Sequence, residues 1–243
     1  MYPYFYFVIP SYTLLAFIGG TAALFLVYTK LERYQVQFTS FLYMALLCFL
    51  GAIAGSKILF AITQIPWLIN NFSFINLVLL IPQSGFVFYG GLFGVIAALM
   101  FATRKDADYR RRVFRMVVPS MPLFHAFGRI GCFLAGCCYG KSLATPLMIG
   151  GIELTRIPVQ ILETFLEFIL FIVITVIEKK RANVDLLKFY LIVYAIIRFC
   201  DEFLRGDEIR GIFFGLSTAQ WISIAIIVVY FIKDIMKKRR LNV

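Results

Sequence analysis

Seven apolar stretches, each about as long as a membrane-crossing helix, dominate this sequence. A helix of about 20 apolar residues crosses roughly 30 Å of hydrocarbon. Only 15% of the residues are charged and 61% are hydrophobic, whereas about a quarter of a soluble domain is charged. We therefore predict an all-α integral membrane protein with about seven transmembrane helices in a single domain, residues 1–243. The predicted spans are 10–28, 39–63, 85–103, 113–137, 158–178, 185–204 and 213–233.

One further apolar segment, residues 64–84, does not have the pattern of a span. It contains Pro66 and Pro82 and the pair Asn70 and Asn71. Prolines and clustered asparagines interrupt a membrane helix. We predict a surface-lying or re-entrant piece.

The basic residues predict how the chain is oriented in the membrane. With the N-terminus outside, 16 of the 24 Lys and Arg residues fall in inner segments and four in outer segments. Cytoplasmic loops carry the excess of positive charge, so we predict N-out and C-in. The basic runs at 104–115 and 237–240 then indicate orientation and contact with anionic membrane lipids, and nucleic-acid binding is not expected.

The stretch 125–140, HAFGRIGCFLAGCCYG, combines ionisable side chains with small residues inside an apolar region. In a helix, His125, Arg129 and Cys132 share one face. Gly128 and Gly131 leave room nearby for a ligand or another backbone. A histidine one turn from an intramembrane arginine indicates either a packing residue or a general base.

The sixth span supplies a second intramembrane cation. Arg198, Glu202 and Arg205 follow at i, i+4 and i+7. This spacing indicates either a row of salt bridges that compensate one another or a functional helix face. A charge in a bilayer costs at least about 2.5–3.5 kcal/mol, so Arg198 should face protein or a wet cavity. Arg129 and Arg198 together indicate an anionic ligand such as a phosphodiester head group.

Other polar residues lie near span ends. The fifth span opens with Arg156, followed by Gln160, Glu163 and Glu167 on one helical face, which indicates either a polar seam or function. Tyr89 before a glycine pair and Tyr12 at the first span are either interfacial aromatics or cavity residues.

The cysteines leave several interpretations open. Cys132, Cys137 and Cys138 do not have a standard zinc spacing, and one His cannot complete a common set, so no metal is predicted. Cys137 and Cys138 are small packing residues, reactive thiols or disulfide partners.

Four motifs, in register over nearly the whole chain, resemble the prolipoprotein diacylglyceryl transferase family of bacterial inner membranes. The signature G-R-x-G-N-F aligns with 128–133, and R-x-P-x-Q-x-x-E is met by Arg156, Pro158, Gln160 and Glu163. R-x-x-x-E-F-x-R is met by Arg198, Glu202, Phe203 and Arg205. G-L-x-x-x-Q is met by Gly215, Leu216 and Gln220, and the first-span tyrosine corresponds to Tyr12.

The resemblance implies a multi-pass enzyme of the bacterial cytoplasmic membrane. Such an enzyme transfers a diacylglyceryl group from phosphatidylglycerol to the lipobox cysteine thiol of a preprolipoprotein, at the outer face and without a cofactor. It implies that Arg129 and Arg198 hold the phosphate. His125 and Tyr89 are the other expected catalytic residues. Expected substrate-binding residues are Tyr12, Gly128, Gly131, Cys132, Arg156, Gln160, Glu163, Glu202 and Arg205.

The sequence also departs from the family pattern. Tyr89 stands where S-F-H-G-G-L has histidine, Cys132 replaces the signature asparagine, and Cys137 replaces an acidic residue. Lys57 is near, but not in register with, the family's second-span arginine. We hypothesise that His125 takes over the role of base.

Three alternatives stay open at this point. The first is an enzyme of the same fold with a different acceptor, and the second is a non-catalytic lipid-binding membrane protein. The third is a thiol-redox or metal-handling protein built on the cysteines.

Overall fold

A computed structural model describes residues 4–5, 9–65, 87–149, 152–206 and 212–241. Most of the segment predicted to be surface-lying or re-entrant, residues 66–84, lies outside the described residues. The chain forms two compact units. One comprises Met1–Val27 and Val117–Val243, and the other is Tyr28–Met116.

The described residues are mainly helical. The helices are α1 (Ser11–Tyr28), α2 (Phe38–Thr63), α3 (Phe88–Ala102), α4 (Ala107–Val117), α5 (Ser120–Ala135), α6 (Val159–Lys180), α7 (Leu186–Asp201) and α8 (Thr218–Leu241). The strands form three antiparallel pairs: β1 (Tyr4–Phe5) with β2 (Ile9–Pro10), β3 (Ser142–Ile149) with β4 (Ile152–Arg156), and β5 (Ile212–Phe213) with β6 (Leu216–Ser217).

Five segments of the described chain are long and apolar enough to cross a membrane. The prediction of a helical membrane protein is confirmed, whereas the number of crossings and the N-out orientation stay predictions. The shorter helices α3 and α7 have 15 and 16 residues. The five segments are Ser11–Tyr28, Phe38–Thr63, Ala107–Ala135, Val159–Lys180 and Thr218–Arg239.

The predicted span 113–137 corresponds to one segment that is long and apolar enough to cross a membrane, Ala107–Ala135, but this segment consists of two helices. The helix is interrupted at Val118 and Pro119, between α4 and α5. Proline has no backbone N–H, and it disfavours helical geometry in the residue before it. The Ser120 hydroxyl donates to the carbonyl of Val117 across the break, at 2.7 Å, so the new helix starts with a satisfied turn.

In the unit Tyr28–Met116, α2 and α3 pack through their glycines. A Cβ atom built on Gly51 would lie 2.6 Å from the carbonyl oxygen of Gly94, and one on Gly55 would collide with the carbonyl oxygen of Gly90. The backbones are therefore closer than any side chain would allow. Small residues at a helix–helix interface allow such close packing in membrane proteins.

In the other unit, α5 packs on α6, α6 on α7, and α7 on α8. A capping box starts α8: the Ser217 hydroxyl accepts from the N–H of Gln220 at 3.2 Å, and the Gln220 side-chain oxygen accepts from the N–H of Ser217 at 3.0 Å. Gln220 also donates to the carbonyl of Phe199 at 3.5 Å. The last-span glutamine is thus a structural residue that ties α8 to the end of α7.

Candidate active site

The last three turns of α5, from His125 onwards, carry the polar residues of the site on one buried face. His125, Arg129 and Cys132 are exposed by 5%, 6% and 8%, as their helical spacing predicts. The helix ends at Gly136, whose φ of 74° is left-handed. The N–H of Cys137 donates to the carbonyl of Cys132 at 3.1 Å, which is the Schellman arrangement. The chain therefore reverses immediately after Cys132.

Glu163, on the first turns of α6, is the shared partner of three cationic or titratable side chains. Its Oε2 lies 2.7 Å from Arg129 Nη2 and 3.6 Å from Arg198 Nη1, and its Oε1 lies 3.6 Å from His125 Nε2. Only 1% of Glu163 is exposed. The structure thus joins α5, α6 and α7 through one carboxylate.

His125 connects this carboxylate to a second one. Its Nδ1 lies 3.1 Å from Glu167 Oε1, one turn beyond Glu163 on α6. The imidazole also meets the ring of Tyr194 edge to face, with centroids 5.2 Å apart. Both nitrogens of His125 therefore face carboxylates, and its ring is held by an aromatic neighbour.

Arg198 continues the network on α7. Its Nη2 lies 2.6 Å from Glu202 Oε2, in the i, i+4 geometry that the sequence predicts. A buried ion pair of this kind gains little stability overall, because removing both charges from water costs several kcal/mol per ion. Such a network is more easily understood as a site than as a fold stabiliser.

Each of the two arginines has a buried N–H donor that makes no hydrogen bond in the described part of the chain. Within the described residues, Arg129 Nε is buried and has no hydrogen-bond partner, and Arg198 Nη1, although 3.6 Å from Glu163 Oε2, makes no hydrogen bond either. A guanidinium has five N–H donors in a rigid fork that fits phosphate oxygens. Because buried polar groups are rarely left unpaired, these donors indicate that an anionic ligand completes the network.

Backbone hydrogen bonds hold the loop after α5 against the residues just before α6 and just after α7. The Gly140 N–H donates to the carbonyl of Ile157 at 3.0 Å, and the Lys141 N–H donates to the carbonyl of Leu204 at 2.9 Å. A Cβ on Gly140 would lie 2.5 Å from the Ile157 oxygen, so glycine is required here. The loop is thereby fixed next to α6 and α7.

Residues predicted for substrate binding line this loop in different ways. Gln160 donates from Nε2 to the carbonyl of Cys137 at 2.6 Å. Arg156 is exposed, and its guanidinium lies 3.8 Å above the ring of Tyr139. Arg205 is buried and its backbone pairs with Gly140.

The thiols of Cys132, Cys137 and Cys138 converge, with all three sulfur atoms within 4.8 Å of one another. Cys138 follows the helix end with a left-handed φ of 57°. Hydrogen bonds from the Cys132 and Cys137 thiols, together with the charges of Arg205 and Arg129, lower the pKa of Cys138 below its ordinary range. The sequence analysis predicted neither that the three thiols converge nor that a left-handed residue after α5 brings them together.

Four predicted residues are outside the ion network, and three of them, Gly131, Tyr12 and Gly128, belong to the unit that contains it. A Cβ on Gly131 would lie 3.1 Å from the Cα of Tyr12, so this glycine lets α1 approach α5, while a Cβ on Gly128 would meet nothing within 4 Å. Tyr89 belongs to the other unit, where it is buried and stacks on Phe93 with centroids 5.9 Å apart.

Four residues beyond the predicted set belong to the network or border it. Tyr190 and Tyr194 stack on each other at 5.9 Å and share a face with Arg198 and Glu202. These four residues follow one another at intervals of four, and this spacing in the sequence indicates that they share one helix face. Glu167 and Asp201 are 0% and 3% exposed. The spacing on α6 had already placed Glu167 on a polar face with Glu163, whereas nothing in the sequence distinguishes Asp201 from a solvated carboxylate.

Fold and site together define a polytopic membrane protein built around buried arginines that have open donors. Residues 3–235 match the family model described as prolipoprotein diacylglyceryl transferase. The chain belongs to the prolipoprotein diacylglyceryl transferase family.

Relatives across this family cover most of the chain. A phosphatidylglycerol–prolipoprotein diacylglyceryl transferase of Clostridium tetani is 35% identical over 76% of this chain and 76% of its own length. The second such enzyme of Clostridium perfringens is 33% identical, over 75% of this chain and 73% of its own. The protein of that name from Idiomarina loihiensis is 31% identical, over 79% and 74%. The resemblance that the motifs indicate is therefore confirmed.

Proposed function

We propose that this chain is a transferase that moves a diacylglyceryl group from phosphatidylglycerol to the thiol of a lipobox cysteine in a prolipoprotein. The observation that carries the proposal is the pair of buried arginines, one on α5 and one on α7, that meet at one carboxylate. Relatives at 31–35% identity bear the name of this activity. The reaction takes place at the outer face of a bacterial cytoplasmic membrane, which the chain crosses several times.

Arg129 and Arg198 bind the phosphate of the lipid. Arg129 contacts Glu163 through Nη2 and presents Nε to a phosphate oxygen, and Arg198 presents Nη1, which lies 3.6 Å from Glu163 Oε2 without a hydrogen bond. In a site that excludes water, these donors stabilise charge far more than they do in water. They therefore favour departure of the phosphate when the glycerol C–O bond breaks.

The chemical step is an alkyl transfer to sulfur. The acceptor sulfur forms a C–S bond to the terminal glycerol carbon, and the C–O electron pair leaves with the phosphate as glycerol phosphate. The thiol proton must be removed, because the thiolate is the nucleophile.

We assign His125 to positioning rather than to base catalysis. Its nitrogens face Glu163 and Glu167, and only 5% of the residue is exposed, so an incoming thiol would have to displace a carboxylate to reach it. The hypothesis of a His125 base is open to a direct test. His125→Ala should lower transfer by loosening Glu163, and His125→Gln, which keeps a donor, should restore part of it. A base would not be restored by glutamine.

Other roles complete the proposal. Gln160 and Arg205 shape the outer loop, Glu202 orients Arg198, and Arg156, Tyr12, Gly128, Gly131 and Cys132 border the path of the substrates. Tyr89 is proposed as a further catalytic residue. One polytopic domain over 1–243, with seven spans and an outer N-terminus, completes the proposed organisation.

The test is transfer of labelled diacylglycerol from phosphatidylglycerol to a lipobox peptide by the purified full chain. Arg129→Ala should lower the rate by about 10²–10³-fold, the usual effect of removing one charge-stabilising donor. Arg104→Ala is the matched control, because Arg104 is an exposed arginine in the other unit, and it should leave the rate unchanged.

The alternatives give different results in the same assay. Lipid cleavage without peptide labelling would indicate a different acceptor. Phosphatidylglycerol binding that depends on Arg129, without any cleavage, would indicate a lipid-binding protein and contradict the proposal.

A further inference from the structure

Three thiols of this chain meet at the outer end of α5. The sulfur atoms of Cys132, Cys137 and Cys138 all lie within 4.8 Å of one another, and we call these three residues the thiol trio. All three are free cysteines. Cys132 is buried, Cys138 is half-buried and Cys137 is exposed, so the trio extends from the protein interior to its surface.

The backbone is shaped to bring the trio together. Cys132 lies on the last turns of α5, and left-handed residues at Gly136 and Cys138 fold the following chain back over that helix end. A left-handed conformation costs a residue with a side chain roughly 1–2 kcal/mol. Cys138 bears this cost where glycine would avoid it, and such costs are concentrated at functional sites.

The neighbouring residues hold the trio rigidly. Gln160 donates to the carbonyl of Cys137 at 2.6 Å, and the Gly140 N–H donates to the carbonyl of Ile157. Arg129 lies one turn before Cys132 on α5.

The spacing suits a small thiophilic ion. A zinc–sulfur bond is about 2.3 Å, so sulfurs around a tetrahedral ion lie about 3.8 Å apart. Sulfurs already within 4.8 Å need only small adjustments to reach that distance. Thiolate ligands select d¹⁰ ions such as Zn²⁺ or Cu⁺, and three protein ligands with one open position are typical of catalytic zinc sites.

The geometry points to the thiol trio as a binding site for a d¹⁰ metal ion, whose open position takes the thiol of the acceptor peptide. This inference rests on the proposed transferase function, and it supplies the activation that His125 is not placed to give. Cys132 lies one turn from Arg129, so the bound sulfur and the bound phosphate would be neighbours.

The step balances without any oxidant or reductant. The acceptor thiol binds the ion as thiolate and releases its proton to water, since a metal-coordinated thiol is deprotonated. A sulfur electron pair then forms the C–S bond to the glycerol carbon, and the C–O pair departs with the phosphate held by Arg129 and Arg198. The thioether product is a neutral and weaker ligand, so it leaves the ion.

Metal binding is tested on the reduced, purified full chain with Cd²⁺ as probe and Zn²⁺ as competitor. Thiolate-to-cadmium absorption reports how many ions bind and through which residues. The chain offers matched controls, because Cys48 and Cys200 are cysteines outside the trio. The variants are Cys132→Ser, Cys137→Ser and Cys138→Ser against Cys48→Ser and Cys200→Ser, with thermal unfolding of each to check folding.

We expect one ion per chain in the unmodified protein and in both controls, and at least tenfold weaker binding in each folded trio variant. Absence of cadmium–thiolate absorption in the reduced protein would overturn the inference. So would equal binding by the trio variants, or binding lost in the controls.

The transfer assay separates this inference from the proposed function. If both hold, removal of metal by a chelator lowers transfer at least tenfold and Zn²⁺ restores it, while phosphatidylglycerol binding stays unchanged. Transfer that persists in a metal-free trio variant would support the transferase and overturn the metal route. Metal bound by the trio in a protein without transfer activity would overturn the proposed function and the acceptor role, and leave a metal site alone.

Discussion

The two units of this protein join their helices in opposite ways. In Tyr28–Met116, α2 and α3 meet through bare backbone at glycines 51, 55, 90 and 94. In the other unit, α5, α6 and α7 meet through buried charges, with Glu163 between Arg129 and Arg198. Both contacts belong to helices of a membrane protein, but the second places buried ionisable side chains between the helices.

This difference distinguishes a contact that only packs two helices together from a contact that has a functional role. A glycine contact gains van der Waals energy and leaves no polar side chain to satisfy. A buried charge costs several kcal/mol before any partner compensates it, and replacing such pairs by apolar residues is often neutral for stability. The glycine interface is thus sufficient to hold helices together, and the charged network requires a ligand to explain it.

Breaking the charged network should have the largest effect. Glu163→Gln removes the carboxylate that Arg129 and Arg198 share, so two guanidinium groups stay buried with less compensation. We expect a loss of about 3–5 kcal/mol in the free energy of unfolding, together with loss of transfer. Denaturant or thermal unfolding in detergent measures it.

Glu153→Gln is the matched control, since Glu153 lies exposed on β4. It should change stability by less than about 0.5 kcal/mol. Equal stability of the two variants would mean that the network is not what joins α5, α6 and α7.

Breaking the glycine interface should have a smaller effect. Gly55→Ala places a methyl group against the carbonyl oxygen of Gly90, and the two backbones must separate. Overpacking of this kind costs about 1–3 kcal/mol, measured as a lower melting temperature of the full chain.

Gly20→Ala tests the same exchange in open space. A Cβ there would meet only Phe124, at 3.9 Å, and alanine is favoured over glycine in a helix by roughly 0.5–1 kcal/mol. We therefore expect unchanged or slightly raised stability. A destabilised Gly20→Ala would show that helix glycines matter here for a reason other than close approach.

The smallest effect should come from the exposed rim of the charged unit. Tyr139→Leu removes the ring beneath Arg156, and an exposed cation–π contact contributes about 0.5–1 kcal/mol. Tyr139→Phe keeps the ring and should match the unmodified protein in thermal unfolding. If both variants unfold alike, the contact of Arg156 with the ring has no measurable role in stability.

Sequence patterns were informative wherever a property is local. The apolar runs predicted a helical membrane protein, and the i, i+4, i+7 spacing placed His125, Arg129 and Cys132 on one buried face. Pro119 is also a signal for the end of a helix. The break at Val118 and Pro119 was nevertheless not predicted, because the apolar run continues across it. The hairpin of β3 and β4 was not predicted either, since it follows the helix as a short and partly apolar segment.

By itself, therefore, the sequence determined the class of fold, the family and the identity of the intramembrane charges, because each depends on composition or on spacing within one helix. Only the tertiary structure decided that Glu163 joins Arg129 to Arg198, that His125 lies between two carboxylates, and that three thiols converge. Those contacts join helices that are far apart in sequence, or depend on left-handed residues such as Cys138. The periodicity of the sequence shows which residues share a face of one helix. Only the packing of the helices determines which residues of a neighbouring helix that face contacts.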